Sequence, residues 1–427
     1  MTPDYQLKIG TARIDITPDY PIRLSGYGAR KEETSEVIQP IWAKCLTISH
    51  QDPIPFVLVC VDNCGVPEHV TETVAKRLRT KAGIPREQFV LSVTHTHSAP
   101  FLSGALETLF GQPIPGDHQT RIDYYTRELT DKLEQVAISA ISHSESGTLS
   151  WCCGSIDFAG NRRTEGGPVD HDLPVLLAHD LNGELMAIWC SYACHTTTLS
   201  FNTINGDWAG YAMEKLEETY PTAVAMVSLG CAADANPYPR GEYAHAQQHG
   251  EVLADEVSRL ILADPRPIHL DSQNEKGLVG QIKWIQLPFD THPTRTEWEE
   301  RLEKGGAIAY HARVQLDRLN RRQALQTTLS YAVQTWQFGS NLSVVFLAGE
   351  VVVDFALRLK RELNMDKNCR LWINAYCNDL PCYIPSVRIL NEGGYEGKDA
   401  MIYFNRPTHF KPEIEELVIE AVHDLLP

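Results

Sequence analysis

Apolar residues along this chain fall into short runs that alternate with longer amphipathic stretches, and the alternation predicts strands and helices in turn. Lys8 to Asp15, Trp42 to Ser49 and Pro55 to Val61 read as strands; Pro67 to Lys81, with Val70, Val74 and Leu78 set among charges, reads as a helix. Phe89 to Val93 is a further strand. The Gly- and Pro-rich segment from Ser98 to Gly116 has no period and predicts a long loop of the kind that walls a site. Tyr124 to Ser142 follows as a helix and Leu149 to Phe158 as a strand. Val175 to Asp180 and Leu185 to Cys190 predict a hairpin, because Asn182-Gly183 supplies its turn. A helix opening at Asn205-Gly206-Asp207 runs through Tyr220, a strand covers Ala223 to Leu229, and a helix covers Ala244 to Leu262.

Beyond a strand at Gly277 to Leu287, the stretch from Thr296 to Gln326 is charged and helical in pattern, an insertion over the surface or an oligomer contact. Thr335 to Phe338 and Leu342 to Leu347 read as a strand pair, Val351 to Leu363 as a helix, Leu371 to Ala375 as a strand and Glu413 to Leu426 as a closing helix. Strands alternating with helices predict an α/β fold, with mixed β-sheets flanked by helices. No repeat, low-complexity tract or linker divides residues 1–427, so one domain is expected.

Charge narrows the function. A net charge of −17 excludes a general nucleic-acid or anionic-membrane binder, which needs a basic surface, and points to a small-molecule substrate. The polar start from Met1 to Leu7 lacks a basic and then apolar leader, and no run is apolar enough to span a bilayer, so a cytoplasmic protein is expected, with homo-oligomers compatible. The 11 cysteines include no Cys-x-x-Cys pair and several sit in apolar runs, so reduced thiols are expected.

Several apolar strands end in a residue able to do chemistry: Asp62, His95 with His97, His195, Asp234 and Glu350. If the strand at Phe89 to Val93 continues, positions i and i+2 share a face, and His95 and His97 project together. In α/β architectures such groups gather beyond the carboxyl ends of strands, and two histidines with a carboxylate match a catalytic zinc site. Each residue also has an ordinary role. His95 and His97 suit a hydrogen-bonded loop pair, His195 a core histidine and Glu350 an acid in the first turn of a helix. Asp207 suits an N-cap serving Ala209 or Gly210, and Asp62 suits orienting a histidine as well as binding metal. Arg162 and Arg163 are solvent-facing by base rate, yet either is able to clamp a carboxylate or an oxyanion.

Gly10-x4-Asp15-Ile16-Thr17-Pro18, Gly26-Tyr27, Thr94-His95-Thr96-His97-Ser98-Ala99-Pro100, Asn161-Arg162, His195 with its threonines and Asn205-Gly206-Asp207-Trp208-Ala209-Gly210-Tyr211-Ala212 stand in one order along residues 8 to 400. This ordered set resembles the catalytic domain of the neutral/alkaline, non-lysosomal ceramidases. The resemblance implies a layered αββα fold and an amidase with one Zn2+ per chain, held by His95, His195, Glu350 and a tyrosine. That tyrosine would be Tyr383, with Tyr376 as the fallback. It places His97 and Arg162 around the reacting carbonyl, His97 to move a proton and Arg162 to stabilise an oxyanion; Tyr383 belongs to the same catalytic group.

Three departures redirect the substrate. Asn236, in Asp234-Ala235-Asn236-Pro237, stands where the ceramidases carry a serine; the chain ends near the close of the catalytic domain; and no apolar surface for a sphingolipid is readable. The expectation is therefore a zinc hydrolase cleaving the N-acyl bond of a small polar molecule rather than ceramide. A zinc-dependent lyase or isomerase acting on a sugar acid or uronide is the alternative, and an inactive binding protein with the altered loop at Asn236 is another.

Overall fold

The structure is a computed structural model that describes residues 7–50, 53–270, 277–363 and 370–426; the polar start read above lies almost wholly outside them. In chain order the first strands are β1 (Leu7–Asp15), β2 (Trp42–Ser49), β3 (Phe56–Val61), β4 (Phe89–Val93), β5 (Glu145–Ser155), β6 (Ala159–Asn161), β7 (Asp172–Asp180), β8 (Leu185–Tyr192), β9 (Val224–Leu229) and β10 (Ala235–Pro237). They are followed by β11 (Arg266–Pro267), β12 (Leu278–Pro288), β13 (Thr328–Phe338), β14 (Leu342–Leu347), β15 (Glu350–Val351), β16 (Leu371–Asn374) and β17 (Tyr383–Ile384). The helices are α1 (Glu68–Ala82), α2 (Gly116–Ser142), α3 (Asp207–Thr219), α4 (Tyr243–Ile261), α5 (Arg295–Leu302), α6 (Gly306–Asn320), α7 (Val353–Glu362), α8 (Val387–Glu392), α9 (Gly394–Gly397) and α10 (Ile414–Leu425).

Nine strands form the large sheet, in the order β4-β3-β2-β1-β5-β7-β8-β9 with β11 added on β5; β3 with β4 and β8 with β9 are parallel, the rest antiparallel. A second sheet runs β12-β13-β14-β16. Side chains alternate between faces along a strand, so β3 sends Val57, Val59 and Val61 to one side and Leu58 and Cys60 to the other. The first side packs on α1 and α2 through Val70, Val74, Leu129 and Leu133. The second meets the smaller sheet through Trp189, Trp336, Phe346 and Trp372, all buried. Helices α7 and α10 cover that sheet's outer face with Phe355, Leu359, Val418 and Val422. The result is the layered αββα arrangement the resemblance implies. Glycine is required at Gly10, where a Cβ would stand 1.9 Å from the Ala140 carbonyl oxygen, so α2 lies directly on β1.

Several boundaries differ from the pattern. Helix α2 begins at Gly116, eight residues before Tyr124, because residues 116–121 are all polar or glycine and carry no apolar period. Strand β5 stops at Ser155, and β13 begins at Thr328. The charged stretch 296–326 is two helices, broken where Gly305 and Gly306 take φ of +72° and +59°, with Thr294 and Glu297 forming a capping box ahead of α5. Trp298, Ala312 and Leu316 give it a small core of its own. Nine described cysteines are free thiols, as expected of a reduced protein, whereas Cys153 is disulfide-bonded. Among the described residues no helix is long and apolar enough to cross a membrane.

Candidate metal centre and its cleft

Strand β4 ends at Val93, and His95 takes a left-handed φ of +56°. The two histidines are therefore brought together by a turn, not by the continued strand the alternation predicts. Their ring centroids lie 4.7 Å apart and their Nε2 atoms 3.1 Å apart. Such a backbone costs on the order of 1–3 kcal/mol in a non-glycine residue and persists where its surroundings over-determine it. The surroundings here are stitched by main-chain bonds. Thr94 N donates to the Val61 carbonyl, His195 N to the Ala235 carbonyl, and Glu350, paired with Tyr383 in the β15–β17 ladder, donates from N to the Cys382 carbonyl.

Glu350 Oε2 lies 3.1 Å from His195 Nε2 and 3.5 Å from His95 Nε2, and ligand atoms of the three residues fall within 4.8 Å of one another. All three are buried. Each histidine is fixed at its other nitrogen: His95 Nδ1 bonds the Cys64 carbonyl, and His195 Nδ1 lies 2.6 Å from the Ala232 carbonyl. A carbonyl only accepts, so each Nδ1 carries a proton and each neutral ring turns an Nε2 lone pair towards the same carboxylate. Arg162 Nη1, a donor only, stands 3.5 Å from His195 Nε2, which agrees with a lone pair there. Two lone pairs and a carboxylate oxygen at this spacing repel one another unless a cation joins them, and two nitrogens with one oxygen are a donor set that zinc accepts.

Electrostatics point the same way. Burial, followed by the Arg162 charge, pushes His195 down to about 4, so its ring is neutral. Burial opposes charge on His95, yet Cys64 and Glu350 push it up to about 10, so without a metal the carboxylate draws a proton onto this ring, and the neutral ring described above is the form it takes when a cation replaces that proton. Burial would raise Glu350, but the two imidazoles hold it well below the usual carboxylate range.

His97, Arg162, Asn236 and Tyr383 line an open cleft of about 650 Å³ beside this centre. His97 packs its ring on Gly26, where φ is +85° and a Cβ would stand 2.3 Å from His97 Cγ; only glycine admits the ring. Asn236, on β10, is 3.5 Å from the Thr197 hydroxyl. Arg162 and Arg163 are not solvent-facing: Arg162 Nε donates to Glu396 at 2.7 Å and Nη2 to the Tyr383 hydroxyl at 3.0 Å, while Arg163 binds Glu396 and Glu392. The Tyr383 hydroxyl is thus engaged. That of Tyr376 is buried with no hydrogen-bond partner among the described residues, and its ring centroid lies 4.4 Å from that of His95.

Other candidates serve the scaffold. Asp62 accepts from Trp42 N and the Thr94 hydroxyl, so it steadies the residue before His95 instead of a histidine ring. Asp234 accepts from Val353 N and closes the start of α7. Glu350 lies before that helix, not in its first turn, where Asp354 stands. Asp207 is the first residue of α3 and binds Leu199 N and Trp208 N in place of Ala209 or Gly210. Glu396, 3% exposed in a Gly-Gly-Tyr-Glu-Gly segment, carries no periodic or motif signal, yet it holds both arginines. Tyr395 was equally unmarked and faces Arg162 across 5.6 Å.

No protein-family model matches the chain. Solved structures do, among them two ceramidases. Neutral ceramidase from Pseudomonas aeruginosa superposes with a TM-score of 0.76 at 17% sequence identity, over 99% of this chain and 75% of the other. A ceramidase complexed with C2 superposes with a TM-score of 0.76 at 16% identity, over 99% of this chain and 76% of the other. The chain has a neutral ceramidase-like fold.

Proposed function

We propose that this neutral ceramidase-like fold carries a zinc-dependent hydrolase that cleaves the N-acyl bond of a small polar substrate rather than ceramide. The observation that carries the reading is the convergence of the His95 and His195 Nε2 lone pairs on the Glu350 carboxylate at the edge of an open cleft. His95, His195 and Glu350 would hold one zinc ion. We assign the fourth donor to Tyr376 in preference to Tyr383, since the Tyr376 hydroxyl is a buried orphan beside His95 and the Tyr383 hydroxyl is engaged by Arg162. Zinc in such a set supplies Lewis acidity and makes water nucleophilic near neutral pH.

The chain's own groups supply the rest. Burial and the neighbouring His95 and His195 keep His97 well below its ordinary pKa, so its neutral ring is ready to take a proton and return it to the leaving amine. Tyr383, having accepted from Arg162, keeps its own hydroxyl proton free to donate to the carbonyl oxygen as charge develops there. Arg162, fixed by Glu396, adds positive charge at that point. Asn236 borders the same cleft as an amide donor and acceptor for polar substrate groups. Hydroxyls, amides and guanidinium groups on the walls favour a polar molecule over a lipid tail.

The test is release of primary amine from a panel of N-acyl amino acids, N-acyl amino sugars and short-chain ceramide. Release from a polar member, lost on chelation and in His97→Ala, supports the reading. Hydrolysis of ceramide alone, or an unsaturated product absorbing in the ultraviolet with no amine released, refutes it.

A further inference from the structure

We infer that the cleft selects N-acyl substrates bearing a free carboxylate, and that Arg240 is the residue that binds it. The inference rests on the reading of this cleft as the substrate site. It comes from a charge imbalance on one wall. Arg162 and Arg163 are matched by Glu396 and Glu392. Arg240 lines the same cleft, is exposed, and among the described residues has no carboxylate partner.

A second arginine on that side is also unmatched. Arg30 is 8% exposed and sits 4.6 Å from the ring centroid of Tyr27, a cleft residue. Its Nε and Nη1 donate to the carbonyls of Ser200, Ser25 and His97, its Nη2 is buried without a partner, and no described carboxylate is within ion-pair distance. Burial lowers its pKa only to about 10, so it stays charged at neutral pH. Two cations with no carboxylate in ion-pair contact therefore flank Tyr27, Asp207 acting on Arg30 from beyond that distance, in a chain whose net charge is −17. A cleft with low-dielectric walls focuses such a field and draws in anions. Arg30 is sealed behind Tyr27 and supplies field alone; Arg240 is free to form direct bonds, and a single guanidinium fork matches a carboxylate in bidentate geometry. A neutral lipid amide gains nothing from either charge.

Calorimetric binding to the full-length protein, as purified, with N-acetyl-L-leucine and N-acetylglycine and the primary amide of each, tests this. The acids should bind about tenfold more tightly than their amides, and in Arg240→Gln the ratio should fall to about two, as for loss of one charge-assisted bond. Equal affinities, binding of neither form at millimolar concentration, or a ratio unchanged in Arg240→Gln overturns the inference. Amine release is followed in parallel. Hydrolysis without charge preference keeps the amidase reading and overturns the carboxylate; a charge preference without hydrolysis keeps the carboxylate and counts against the amidase.

Discussion

Replacing Gly26 with alanine separates the role of His97 from that of the metal ligands. The new Cβ would stand 2.3 Å from His97 Cγ, 2.4 Å from Nδ1 and 2.6 Å from Cβ. Carbon atoms settle at about 3.5–4.0 Å, so the ring must retreat by more than about 1 Å. A displacement of that size at a catalytic group costs on the order of 100-fold in rate. The backbone adds its own cost, because φ of +85° is unfavourable for an L-residue by about 1–2 kcal/mol and overpacking adds about 1–3 kcal/mol. His95, His195 and Glu350 are untouched. The expected result is about a 100-fold fall in kcat/KM on the best N-acyl substrate, a loss of about 2–5 kcal/mol in urea unfolding, and unchanged metal content. Near wild-type activity together with a stability loss below about 1 kcal/mol would refute the packing argument, and the unfolding arm needs no substrate.

Three further outcomes are expected. Glu396→Ala strands the side chain of Arg162, while Arg163 keeps Glu392; breaking one partner of a buried pair costs about 3 kcal/mol, which for a chain of 427 residues lowers Tm by about 3 °C in calorimetry. His311 is held down to about 4 by burial and by Arg301 and Arg318, so as pH falls below about 6.5 the unfolded chain takes up a proton that the folded one refuses. Stability from this residue, intact above pH 6.5, is lost towards pH 4; His311→Gln should lose about 2 kcal/mol less than wild type between pH 7.5 and 5, measured by urea midpoints. Tyr376→Phe should weaken zinc binding at least about tenfold in chelator competition and Tyr383→Phe should leave it nearly unchanged, whereas the reverse order would assign the donor to Tyr383.

Much of the scaffold is legible because its strands are short apolar runs with clear ends. The hairpin of β7 and β8 is announced by Asn182-Gly183, with Gly183 at φ +86°, and the strands β2 to β4 by runs rich in β-branched and apolar residues. The convergence of His95, His195 and Glu350 is legible for the same reason, as each follows the end of a buried strand. The reason His95 meets His97 is not, because a left-handed residue outside glycine leaves no mark in an apolar pattern. Nor is the grip of Glu396 on Arg162, a contact across 234 residues made by an acid in an irregular glycine-rich segment. The choice between Tyr376 and Tyr383 turns on which hydroxyl is already bonded, and that depends on packing, not on position in the chain.

Metal content is the most direct measurement. Inductively coupled plasma mass spectrometry on protein purified without added metal should find about one zinc per chain, and His95→Ala, His195→Ala and Glu350→Gln should each lose it while retaining the wild-type circular dichroism spectrum. Folded wild-type protein that takes up no metal even when zinc is offered would contradict the centre, and with it the hydrolase.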